Sequence, residues 1–240
     1  MKSIYAILAC LIFMFSTSSV LKTSCYNPGN TAARFQGLKG KVKSTIEYFG
    51  KPVSYEEATK NWSIVKGEMH TGTFKTFYAE NGKEKEIFVL NGTQLLFHNV
   101  DLYNQDCYLG IEQRDSLDKV IEKTMLIQSS ATNTFLEFQV YDGAGNKTKY
   151  VICREDTIAR VRTVEVKGEA GQLEFSQRRE LNKEGLVTSE MICYNDASNC
   201  FTLSYEYIKF DKKGNWIERL ERNSNMDGVT LRERKIEYYK

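Results

Sequence analysis

The densest set of reactive side chains in the sequence is His98-Asn-Val-Asp101, followed closely by Asp106-Cys107. An imidazole, two carboxylates and a thiol so close together could bind a metal or activate the cysteine as a nucleophile. A hydrolase or metal site in this chain would have to use that His98–Cys107 loop. Against it, the only histidines are His70 and His98, and no CxxC or HxxxH spacing is present. Metal sites and Cys–His pairs announce themselves by such spacing or by geometry. The plainer reading is a polar loop with one bonded or buried cysteine. No catalytic, cofactor-binding or metal-ligating residue is therefore assigned, and the expectation is a protein that is not an enzyme and carries no cofactor.

Other charged groups read as solvated faces. Lys39, Lys41 and Lys43 stand two apart, as on one side of a strand, and a charged edge deters strand addition. Arg160, Arg162, Arg178 and Arg179 are balanced by Glu165, Glu174 and Glu180. The formal charge of +2, with both signs interspersed, gives no basic field of the kind nucleic acid requires.

The positions of these groups depend on where the chain goes. Met-Lys-Ser, then Ile4 to Phe15 without a charge, then Ser16-Thr17-Ser18-Ser19 is the pattern of a secretion signal spanning 1–19. The apolar run is too short for a membrane span, which needs about 20 residues. The mature chain is thus expected without a transmembrane helix, in the periplasm, outer-membrane-associated or secreted. Ile7-Leu8-Ala9-Cys10 and the surroundings of Cys25 resemble lipidation sites. However, Cys10 precedes a full apolar core, and Lys22 stands where an aliphatic residue belongs before Cys25. Beyond the signal remain Cys25, Cys107, Cys153, Cys193 and Cys200, an odd count in an oxidising compartment. Cys193 and Cys200 flank a polar hexapeptide between two strand-like runs, and facing hairpin positions suit a disulfide. How Cys107 and Cys153 pair is open.

Residues 20–36 read as an irregular arm and 37–240 as an antiparallel sheet domain. Val42, Ser44, Ile46 and Tyr48 alternate with Lys43, Thr45 and Glu47, the period of a strand with one wet face. Ile87 with Val89, Leu136 with Phe138 and Val140, and Phe201 with Leu203, Tyr205 and Tyr207 repeat it. Tyr141-Asp142-Gly-Ala-Gly145-Asn146 and Phe210-Asp211-Lys-Lys-Gly214-Asn215 share one turn plan. The Asp side chain bonds backbone two residues on, and Gly145 or Gly214 takes the left-handed conformation that closes a hairpin. Looser copies are Leu181–Gly185 and Tyr78–Gly82. Asp115-Ser-Leu-Asp-Lys-Val-Ile-Glu-Lys offers an N-cap, and Leu117, Val120, Ile121 and Met125 recur at helical spacing. This predicts one short helix over 116–126 packed on the sheet. The fold class expected is mostly β: a curved antiparallel β-meander with that helix upon it.

The two turns Tyr141–Asn146 and Phe210–Asn215 resemble the turn motif of YD-repeat (Rhs-like) sequences. Leu38–Ser44, Phe210–Arg219 and Glu237–Tyr239 resemble exported Bacteroidota proteins of unknown function, in which such hairpins follow one another. The resemblance implies a β-meander body at the cell envelope and carries no catalytic residue across.

Three functional expectations follow. The first is an exported β-sheet protein that binds or scaffolds at the envelope, with a protein, glycan or lipid as partner. The second is a periplasmic carrier holding a lipid or other apolar ligand in the concavity of a curved sheet. The third is the enzyme already described. An enclosed apolar cavity favours the carrier; a filled core with polar outer faces favours the scaffold.

Overall fold

A computed structural model describes residues 38–56, 58–66, 69–130, 134–195 and 199–240. The expected signal (1–19), the arm (20–36), Cys10 and Cys25 lie outside the described residues. Fifteen strands follow in chain order: β1 (Val42–Glu56), β2 (Asn61–Ile64), β3 (Gly72–Tyr78), β4 (Glu84–Asn91), β5 (Gln94–Asn104), β6 (Cys107–Arg114), β7 (Val120–Ser129), β8 (Phe135–Asp142), β9 (Lys147–Asp156), β10 (Val161–Gly168), β11 (Leu173–Leu181), β12 (Val187–Tyr194), β13 (Asn199–Phe210), β14 (Trp216–Asn223) and β15 (Val229–Tyr238). From β3 onward each strand pairs antiparallel with the next, β3 pairs with β1, and β15 returns to pair with β1. The result is a closed fourteen-strand barrel; β2 adds a hairpin to the far end of β1.

Two expectations are corrected here. The sheet is not an open curved one, because Glu47 meets Arg234 and Ile46 meets Lys235 in register, joining β1 to β15. Nor is there a helix among the described residues. Asp115 instead starts a hairpin turn: its carboxylate accepts from the Leu117 and Lys119 amides, its carbonyl from Asp118 N. Asp118 takes a φ of 65°, the place Gly145 and Gly214 fill in the turns at Asp142 and Asp211. Val120, Ile121 and Met125 then run on in β7, and Leu117 is left exposed at the turn tip.

The turns at Asp142 and Asp211 have one geometry. Each Asp side chain accepts backbone amides two and four residues on, and Gly145 and Gly214 stand at φ of 89° and 77°. Substituting alanine where φ is positive costs about 1 kcal/mol or more. Gly214→Ala is expected to lower the denaturant midpoint of unfolding accordingly, and an unchanged midpoint would refute the role. A tighter requirement falls on Gly110 in β6, where a Cβ would stand 2.0 Å from the Thr124 carbonyl oxygen of β7.

Alternation along each strand assigns one face to the lumen and one to the outside. One lateral row on the lining reads Phe138, Val151, Val166, Phe175; the next reads Leu136, Cys153, Val164, Gln177, Ile192. These side chains are almost wholly buried and, apart from the polar Gln177, form the main apolar core with Tyr108, Ile111 and Val140. Barrels of about 8 strands are just filled by side chains, whereas those of about 16–18 leave an aqueous channel. In a fourteen-strand barrel a water-filled lumen would leave such rows wet. They are dry, so the lining is packed. At one end Leu38 is buried with Val42 and Tyr78, tied down by Lys39, whose N donates to Asn215 Oδ1 at 2.5 Å. Outside, Val53 of the β1–β2 extension covers Leu220, Val229 and Leu231, with Tyr55 and Trp62 packed against them.

Candidate functional site: an ionic network on the barrel lining

Beside the apolar rows the lining becomes ionic. Glu47 on β1 accepts from Arg234 on β15, with Nε at 2.9 Å. Arg232 lies 3.6 Å from the other Glu47 oxygen and places its Nε 3.0 Å from Glu221 on β14. Arg219 donates to the same Glu221 oxygen through Nε at 3.2 Å and Nη2 at 2.8 Å. On β11 and β12, Arg179 forks onto Glu190 at 3.1 and 3.0 Å, and Tyr205 of β13 donates to Glu190 Oε2 at 2.5 Å. Gln177 also donates to Glu190. The guanidiniums lie on aromatic faces: Arg234 is 3.7 Å from the Trp216 ring centre, and Arg219 is 4.2 Å from that of Tyr205.

These groups are buried, so their charges need one another. Burial pushes the Glu47 carboxyl up, but Arg234, Arg232 and Arg219 outweigh it and hold the group below the ordinary glutamate range. Glu190 behaves alike, with burial opposed by Arg179, the Tyr205 hydroxyl and Arg219. Forked, stacked guanidiniums of this kind fix geometry. The network clamps β11–β15 to β1 and so locks the seam where the barrel closes. The sequence alone does not reveal it, since simple alternation puts Thr45 and Glu47 on a wet face and Arg179 reads as a solvated charge. A β-bulge between Val42 and Ser44 reverses the phase of β1, so that Thr45 and Glu47 point inward while Lys43 stays exposed. The signal that could have found it is an aromatic pair on one strand, Tyr205 and Tyr207, followed on the next two by charges at every second position, Arg219 with Glu221 and Arg232 with Arg234.

The reactive set proposed from sequence is dispersed. His98 faces outward on β5, stacked on Phe88 with centroids 5.1 Å apart and 3.3 Å from Asp118. Asp101 faces the lining, three residues along the same strand. Asp106 sits in the β5–β6 turn, 2.5 Å from Lys83 Nζ. Cys107 is disulfide-bonded and offers no thiolate. Cys153 is a free thiol inside the apolar core, where burial pushes its ionisation up. Cys193 and Cys200 face each other across β12 and β13 and are bonded, with Cα atoms 4.1 Å apart. His70 lies apart from all of these, 2.7 Å from Glu233. Among the described residues no group of three or more His, Cys, Asp or Glu side chains is arranged to hold a metal.

No protein-family model matches the chain, and no curated protein does. Among solved structures it is similar to a porin-like protein from Bacteroides uniformis, at 10% identity and a TM-score of 0.46, covering 82% of this chain and 96% of that one. It is also similar to a porin-like protein from Bacteroides vulgatus, at 9% identity and a TM-score of 0.38, covering 84% and 99%. At these scores neither likeness bears on function.

Proposed function

We propose that the protein is an exported, water-facing barrel that acts by binding at the cell envelope and neither conducts solutes nor catalyses a reaction. The observation that carries this reading is the polarity of the wall. A membrane-spanning barrel turns an apolar band about 25 Å tall toward lipid and keeps its interior polar. Here the apolar rows face inward and the outer face carries ion-pair ladders. Lys43 meets Glu237 at 2.7 Å, Arg114 and Lys123 both meet Glu112 at 2.7 and 2.8 Å, and Arg154 and Lys167 share Glu165. Arg178 meets Glu180 on the same side. Each Arg or Lys on a lipid face near the midplane would cost about 2–4 kcal/mol, and these recur strand after strand.

The packed lining also counts against a carrier, since a lipid in the lumen would have to displace the Phe138 and Leu136 rows. The dispersal of His98, Asp101 and Cys107 counts against an enzyme at that loop. The secretion-signal pattern and the Cys193–Cys200 disulfide support an oxidising exported compartment. The partner, whether protein, glycan or lipid headgroup, would then meet the outer wall or the turns.

Folded mature protein, floated with vesicles of bacterial phospholipid and tested in planar bilayers, is expected to stay in the aqueous fraction and give no conductance steps. Flotation with the vesicles together with discrete steps would overturn the reading.

A further inference from the structure

Cys107 carries a bond whose other half the described residues do not contain. It opens β6, opposite Asn104 of β5, and is disulfide-bonded. Its partner is neither Cys193 nor Cys200, which hold each other. Nor is it Cys153, a free thiol wholly buried on β9 between Leu136 and Val164. The sequence has six cysteines, so Cys10 and Cys25 are the two that remain, both outside the described residues. Cys10 falls in the apolar stretch of the expected signal and leaves with it.

We infer that Cys25 is bonded to Cys107 in the exported protein, fastening the N-terminal arm to the barrel rim. Leu38, where the described residues start, is buried with Val42 and Tyr78. Tyr78 ends β3 and pairs with Glu84 of β4. The neighbouring Lys83 reaches Asp106, the residue before Cys107, at 2.5 Å. Leu38 and Cys107 therefore stand on the same rim. From β1 to β6 the wall passes β3, β4 and β5, four strand spacings or about 19 Å. From Cys25 to Leu38 the chain advances thirteen residues, enough to span about 43 Å when extended. The bond is within reach. Forming it takes two protons and two electrons from the two thiols, which a disulfide-bearing thiol oxidant of an exported compartment accepts. To that extent the inference rests on the export reading above. It also has a consequence for anchoring. A sulfur held in a disulfide has no valence left for the thioether of a lipid anchor, so Cys25 ties the chain to its own barrel and not to a membrane.

The test uses the full chain, exported through its own signal, digested without reduction and mapped by mass spectrometry. The Cys25 and Cys107 peptides should be joined, beside the internally bonded Cys193–Cys200 peptide. Cys153 should alkylate only after unfolding, and Cys25 should carry no acyl mass. Cys25→Ser, Cys107→Ser and the double variant should each lower Tm by the same amount, roughly 5–10 °C, because all three remove one bond. If a variant fails to fold, the wild-type map decides alone. Losses that add in the double variant would overturn the inference. So would an acylated Cys25, or a Cys107 that alkylates in the native wild type, joins Cys153 or joins Cys107 of a second copy. The Cys193–Cys200 bond is the internal control. A free Cys107 beside that intact bond refutes the tether alone, whereas loss of both bonds refutes the export reading with it.

Discussion

Arg234→Ala is expected to cost about 3–5 kcal/mol of folding stability, because it leaves Glu47 ionised and buried without its forked partner. The loss should far exceed that of an exposed pair, which is worth at most about 1 kcal/mol; Lys43→Ala, facing Glu237 in the open, is the control. Replacing both partners by apolar residues, Glu47→Leu with Arg234→Met, should recover most of the stability, since the buried charge then disappears with its counter-charge. Denaturant unfolding at neutral pH measures all three. A loss under about 1 kcal/mol for Arg234→Ala would mean water reaches Glu47 and the seam is not dry. A pH signature accompanies it. Glu47 and Glu190 are held below the ordinary glutamate value. Their contribution is therefore present above the unfolded-state pKa and is lost as pH falls through the lower folded-state value. In the apolar double variant the Glu47 share of that acid-limb loss should vanish.

What was legible in the sequence was local. The turns at Asp142 and Asp211 announce themselves because one carboxylate and one glycine do all the work within five residues. The paired cysteines at 193 and 200 are similar: they face each other across a single hairpin. The segment from Asp115 deceived for an equally local reason. Its Asp-x-x-Asp spacing fits a helix N-terminus as well as an Asx turn, and only Asp118 adopting a left-handed φ separates the two. Closure was not legible. It depends on Glu47 and Arg234 meeting across 187 residues, and no periodicity records which strands lie at the ends of a sheet. Nor was the polarity of β1, because one bulge at Val42–Ser44 reverses it and makes an inward glutamate look solvated. The reactive set His98 to Cys107 failed for the complementary reason. Nearness in sequence along a strand puts residues an odd number apart on opposite faces, as it does His98 and Asp101.

Phe138→Ala is the substitution that tests the filled lumen most directly, with an expected cost of about 3–5 kcal/mol. Phe138 is completely buried, its register partners Leu126 and Val151 lie to either side, and the neighbouring rows put Leu136 and Val140 above and below it. In a packed interior the removed ring leaves a cavity whose walls relax only in part, so the cavity adds its own cost to that of lost burial. In a wet lumen water would fill the space, and the cost would fall toward the simple transfer value for a side chain already half in solvent, about 1.5 kcal/mol or less. Met191→Ala, outward and partly exposed on β12, provides the internal comparison and is expected to change stability by about 0.5 kcal/mol or less. A small loss at Phe138, matched to that at Met191, would make the barrel hollow. The carrier reading would then return, and the inward faces of β8 to β12 would be the surface to search for an apolar ligand.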